Sequence, residues 1–97
     1  MLTDKLYTIT YRDDKKAIVE LCDETHPIFK AHFPTQPIMP GFVNFEIIAD
    51  AFDIKITTIK KAKFLKVVVP NQILTYEKNG NRFKVFCNKE EIASFTL

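Results

Sequence analysis

The 97-residue chain is poor in several of the residues on which common chemistries depend. It holds two histidines, two cysteines and two glycines. Cys22 and Cys87 lack the spacing of metal ligands, and two cysteines are too few for a disulfide framework, so both read as buried thiols of a reducing compartment. No metal or nucleotide signature is present. Charge of one sign is also lacking: 14 basic against 12 acidic residues leave a net +2, too balanced to argue for nucleic acid. No run of apolar residues is long enough to span a membrane, and the first five residues form no apolar signal region. Together these absences predict a soluble cytoplasmic protein with no nucleic-acid or membrane partner. There are no repeats, linkers or low-complexity segments, and one domain over residues 1–97 is expected.

What is present is a core. The apolar fraction is 46% and includes nine Phe. A chain this short buries only roughly 60–65% of its unfolded surface, which makes oligomerisation a natural expectation. Alternation at Tyr7, Ile9 and Tyr11 predicts a half-buried strand, Asp13 to Lys16 a turn, and residues 17–22 the returning strand. Residues 23–41 read as one long irregular loop, a length usually kept for function. Residues 41–52 read as a helix, apolar nearly all round and so surrounded by protein, with Asn44, Glu46 and Asp50 as exceptions. The β-branched run 54–69 predicts a long strand. Residues 73–78 and 82–87 flank Asn79-Gly80-Asn81, a hairpin signal, and 91–97 form the last strand. The order implies an α+β layer: a mostly antiparallel sheet wrapped around one helix.

The densest chemistry lies in His32-Phe33-Pro34-Thr35-Gln36-Pro37-Ile38-Met39-Pro40-Gly41. Its prolines fix φ and remove backbone donors, holding an imidazole on a rigid path just before a helix. Glu46 follows His32 by 46 − 32 = 14 positions, inside that helix. This run, with its register to Glu46, resembles the active-site segment of the 3-hydroxyacyl-acyl-carrier-protein dehydratases, and Lys63-Phe64 with Val67-Val68-Val69-Pro70 resembles a second segment of that family. The likeness covers residues 27–74. Five positions depart from it: Ala31 and Thr35 stand where the family has Gly, Asp50 where it has Gln, and Asn71-Gln72 where it has Gly-Asp.

The resemblance implies a hot-dog fold, and dehydration of 3-hydroxyacyl thioesters to trans-2-enoyl thioesters. His32 would be the base toward C2, and Glu46 of the partner subunit the acid toward the leaving hydroxyl. The chemistry suits the residue types. Imidazole is a base near neutral pH, and an apolar surrounding disfavours an ionised carboxylate. Gly41 and Phe42 would offer backbone N–H groups to the thioester oxygen, and Gly41 would leave the approach open. Phe33, Pro34, Met39 and Phe45 would line the acyl tunnel, with Asp50 behind Glu46. The resemblance implies no cofactor other than the phosphopantetheine arm of acyl carrier protein. It also implies that carrier as partner, and a homodimer, or a higher oligomer, joined edge to edge. Lys30, Lys60, Lys61, Lys63 and Lys66 are candidates for docking an acidic carrier, although such lysines are more often a solvated face. Two alternatives stand beside the dehydratase: an acyl thioesterase on the same fold, and a non-catalytic acyl-binding or assembly subunit.

Overall fold

In a computed structural model, residues 5–31 and 36–97 are described, Ala31 by its backbone alone. Six strands form one sheet in the order β1-β2-β4-β5-β6-β3, every neighbouring pair antiparallel. β1 is Tyr7–Arg12, β2 Lys16–Leu21, β3 Lys61–Phe64, β4 Ile73–Asn79, β5 Arg82–Cys87 and β6 Glu90–Thr96. Two helices precede β3: α1, Pro27–Ala31, and α2, Val43–Ala51.

The strands are short because their turns are strongly encoded. Asp13 Oδ1 accepts the Lys15 and Lys16 N–H groups at 2.8 Å each, closing the β1–β2 turn. Gly80 takes φ +63° between β4 and β5. The β5–β6 turn places both Asn88 and Lys89 at positive φ, the conformation of a two-residue hairpin.

Alternate residues of the strands supply the core. Ala17, Val19, Leu74, Tyr76, Phe83, Val85, Ala93 and Phe95 are buried, and α2 lays Val43, Asn44, Ile47, Ile48 and Ala51 into the same interior. This is the α+β, hot-dog arrangement that the resemblance implies: a sheet wrapped on one helix.

Three expectations are corrected. The strand expected over 54–69 is ordered as β only at Lys61–Phe64. Pairing with β6 ends at Lys61↔Thr96, with Lys60 N–H donating to the Thr96 carbonyl at 2.8 Å, and residues 54–59 pair with no strand among the described residues. The long loop contains α1, five residues with too short a period to register in a hydrophobic pattern. The main helix covers nine residues rather than twelve. Pro40, Gly41 and Phe42 accept from Val43, Asn44 and Phe45 at 3.1 Å, a 3₁₀-like first turn. It is also not covered all round, for Phe42 and Asp50 are exposed.

Candidate active site

The proline-fixed run enters the structure at Gln36 and reaches α2 through Met39, Pro40 and Gly41. Met39 N–H donates to the Val68 carbonyl at 2.8 Å, which ties this run to the segment after β3. Between the two runs lies a groove of about 370 Å³, lined by Met39, Gly41, Asn44, Phe64, Val67 and Val68 among others. That volume is at the lower end of the range for small-ligand sites.

Gly41 shapes this groove in a way its sequence position does not reveal. A Cβ on Gly41 would lie 2.8 Å from Cζ of Phe64, so the missing side chain makes room for the Phe64 ring. That ring also meets Phe95 edge-on with centroids 5.5 Å apart, and Phe95 packs on Phe45 at 4.8 Å. Phe45 therefore stands behind the groove as a support and is not one of its walls.

α2 carries the polar side chains. Asn44 is 2% exposed, the one polar residue in the buried set of the described residues. Its Nδ2 donates to the Gly41 carbonyl at 3.1 Å, and the Tyr76 hydroxyl donates to its Oδ1 at 2.6 Å. Burial drives the Tyr76 hydroxyl far above the ordinary phenol range, so it stays a donor.

Glu46 is half-buried, and its Oε2 is shielded from solvent with no hydrogen-bond partner among the described residues. A buried oxygen left without a donor is unusual and calls for an explanation. Asp50, one turn on, accepts from the Tyr7 hydroxyl at 2.8 Å, and Arg12 Nη1 reaches its carbonyl at 3.3 Å. Burial, and next the hydrogen bond to Asp50, push the Tyr7 hydroxyl well above its usual range, with Glu46 adding to the same negative field. β1 thus grips the C-terminal turn of α2 behind Glu46.

His32, Phe33, Pro34 and Thr35 lie outside the described residues, so the expected base and two expected tunnel residues carry no geometry here. Gly41 and Met39 line the groove, and Phe42 is exposed at the start of α2. Lys66 is ion-paired to Glu90 at 2.8 Å. Lys30, Lys60, Lys61 and Lys63 are exposed. Register places Lys61 and Lys63 across β6 from Arg82 and Lys84, with Thr96 and Ser94 between. These line an outer-face concavity of about 530 Å³. No sequence window could join those four cations, since β4 lies between the two pairs in the chain and β6 between them in the sheet. The groove residues missed in the sequence include Asn44, Leu65, Val67, Val68 and Ala93; the second resembling segment pointed toward Val67 and Val68, and no pattern pointed toward Asn44 or Ala93.

The antiparallel sheet closed on α2 thus leaves an apolar groove at the start of that helix, with Glu46 one turn inside and its Oε2 without a partner among the described residues. A family model described as ApeI dehydratase matches residues 9–95, and the chain belongs to this ApeI-like dehydratase family. It is 32% identical over 94 residues to the 3-hydroxyacyl-[acyl-carrier-protein] dehydratase FabZ of Ehrlichia ruminantium strain Gardel, covering 81% of this chain and 64% of the relative. To FabZ of Chlamydia caviae it is 34% identical over 92 residues, 77% of this chain and 58% of the relative. The chain thus spans somewhat under two thirds of these relatives' length. Among solved structures, the dehydratase heterocomplex ApeI:P of Xenorhabdus doucetiae matches with TM-score 0.68 at 18% identity, over 92% of this chain and 93% of that one. A mutant of the phenylacetic acid degradation protein PaaI from Thermus thermophilus matches with TM-score 0.57 at 11% identity, over 97% and 92%. The structural likenesses establish the fold. No helix among the described residues is long and apolar enough to cross a membrane.

Proposed function

We propose that the protein dehydrates 3-hydroxyacyl thioesters, presented by acyl carrier protein, to trans-2-enoyl thioesters. The single observation that carries this reading is Glu46: a carboxyl 14 positions after His32 whose Oε2 is shielded from solvent and left without a partner among the described residues. A structural carboxylate would be expected to have donors around it. One that waits for a substrate need not.

In this reading His32 removes the C2 proton, the electron pair forms the C2–C3 double bond, and the 3-oxygen departs as water with a proton from Glu46 of a second chain. The N–H groups at the start of α2, at Gly41 and Phe42, take the charge that develops on the thioester oxygen. Saturated acyl carbons occupy the groove beside Phe64, Met39 and Val68. The exposed cations Lys60, Lys61 and Lys63, joined by Arg82 and Lys84, steer an acidic carrier. The reaction needs no cofactor beyond the carrier's phosphopantetheine arm.

The open edge of β3 supports a shared site. Phe64, Leu65 and Val67 are 52%, 46% and 58% exposed beside unpaired strand, an apolar strip suited to another chain. A second copy of this chain fits there, and so does a different dehydratase chain. The test is incubation with 3-hydroxyacyl thioesters of short and medium chain length, following enoyl absorbance and free thiol together. Enoyl product is expected. Thiol release without enoyl product would make the protein a thioesterase, and neither signal would leave an acyl-binding subunit.

A further inference from the structure

The Asn44–Tyr76 pair is a buried polar device in an otherwise apolar interior, and the proposed mechanism does not use it. We propose that Asn44 is a ligand-binding residue, donating a hydrogen bond from the floor of the groove to the 3-oxygen of a 3-hydroxyacyl chain. The assignment rests on reading the groove as the acyl site.

The orientation of the carboxamide is fixed by its partners. The Gly41 carbonyl can only accept, so the Asn44 atom 3.1 Å from it is the nitrogen. The oxygen then faces the Tyr76 hydroxyl at 2.6 Å, and the amide cannot flip without breaking both bonds. Of the two hydrogens on Nδ2, one serves Gly41. The second has no acceptor among the described residues. Asn44 is 2% exposed yet lines the groove, so the groove is where a ligand can bring an acceptor to that hydrogen.

Stability does not account for the pair. A buried polar couple replaced on both sides by apolar groups of similar shape is close to neutral for folding, so a Leu and a Phe would serve the core as well. Its placement is more telling. The other groove walls supply almost no polar side chains: Met39, Phe64, Val67, Val68 and Ala93 are apolar, and Lys66 is engaged with Glu90. Asn44 is the second residue of α2, and its side chain reaches back to Gly41. An acyl chain whose thioester oxygen sits at the Gly41 end would carry its 3-oxygen two carbons deeper, over the Asn44 amide. A rigid donor in an apolar slot favours a hydroxyacyl chain over its saturated analogue, because the saturated chain leaves that donor buried and unpaired.

The test uses non-reacting probes, 3-hydroxyoctanoyl-pantetheine and octanoyl-pantetheine with an amide in place of the thioester, titrated into the whole chain by calorimetry. The hydroxy compound is expected to bind about three- to tenfold more tightly, the range of one neutral hydrogen bond. Asn44→Leu combined with Tyr76→Phe should lose about three- to tenfold of that preference while binding the saturated probe as before. In the wild type, ¹⁵N-edited spectra should show one Asn44 side-chain amide proton moving downfield with the hydroxy probe and not with the saturated one, a readout that needs no variant. Equal affinity of the two probes for the wild type, undiminished discrimination in the double variant, or an unmoved Asn44 amide would each overturn the assignment. None of these readouts requires turnover. Discrimination without any enoyl product would retain the Asn44 site while removing the dehydratase.

Discussion

Lys89 occupies a conformation that its side chain disfavours: φ is +66° in the β5–β6 turn, next to Asn88 at +52°. Left-handed backbone costs an L-residue about 1–2 kcal/mol, and glycine escapes most of that. Lys89→Gly should therefore raise the urea midpoint by an amount equivalent to about 1 kcal/mol, with an unchanged m-value. A lower midpoint would show that Lys89 holds the turn by another contact. The catalytic pair is tested at the same scale. His32→Ala and Glu46→Gln are each expected to lower enoyl formation by about 100-fold or more, the usual contribution of a general acid or base. A rate close to wild type from either variant would remove that residue from the mechanism.

At the scale of elements, legibility depended on whether the partner of each segment was near in sequence. The hairpins β1–β2, β4–β5 and β5–β6 were readable because turn and strands lie within one window, down to Gly80 at the Asn79-Gly80-Asn81 turn. Residues 54–59 carry the β-branched signal of a strand but pair with no strand among the described residues, so pattern and pairing part company there. α2 was legible from its apolar density, while the role of Asn44 was not. The side chain looked like an ordinary helix interruption until β4 brought Tyr76 over it. That link makes a stability prediction. Tyr76→Phe alone leaves Asn44 Oδ1 buried without its donor and should cost about 1–3 kcal/mol, whereas Asn44→Leu with Tyr76→Phe should cost less than the single change. Equal losses would mean that the two side chains act independently.

For the whole molecule, the three tyrosines provide a titration. Tyr7 and Tyr76 are shifted upward chiefly by burial, and Tyr11 by its hydrogen bond to Asp13. A group whose folded value lies above its unfolded value of 10.0 stabilises the fold below that pH, and the contribution disappears as pH rises toward the folded value. Tyr7 and Tyr76 should therefore give no tyrosinate absorbance while the protein is folded, leaving only the exposed Tyr11 to ionise before the step that coincides with alkaline unfolding followed by circular dichroism. Ionisation of more than one tyrosine in a folded sample would contradict the Tyr7–Asp50 or Tyr76–Asn44 contact. Assembly gives a second prediction at this scale. If one chain supplies His32 and the other Glu46, mixing the two inactive single variants should restore activity up to about a quarter of the wild type, because each hybrid dimer regains one intact pair. No recovery despite demonstrated subunit exchange would place both groups on one chain.

The sequence alone determined the strand-helix-strand order, the tight turns and the His32–Glu46 register, because these depend on neighbours along the chain and on short-range backbone geometry. Only the tertiary structure decided what those residues meet. It set Phe64 over the missing Cβ of Gly41, Tyr7 on Asp50 and Tyr76 on Asn44. Each of these contacts joins positions far apart along the chain, and such pairs are selected by how the sheet closes over α2, a packing choice that no local pattern encodes.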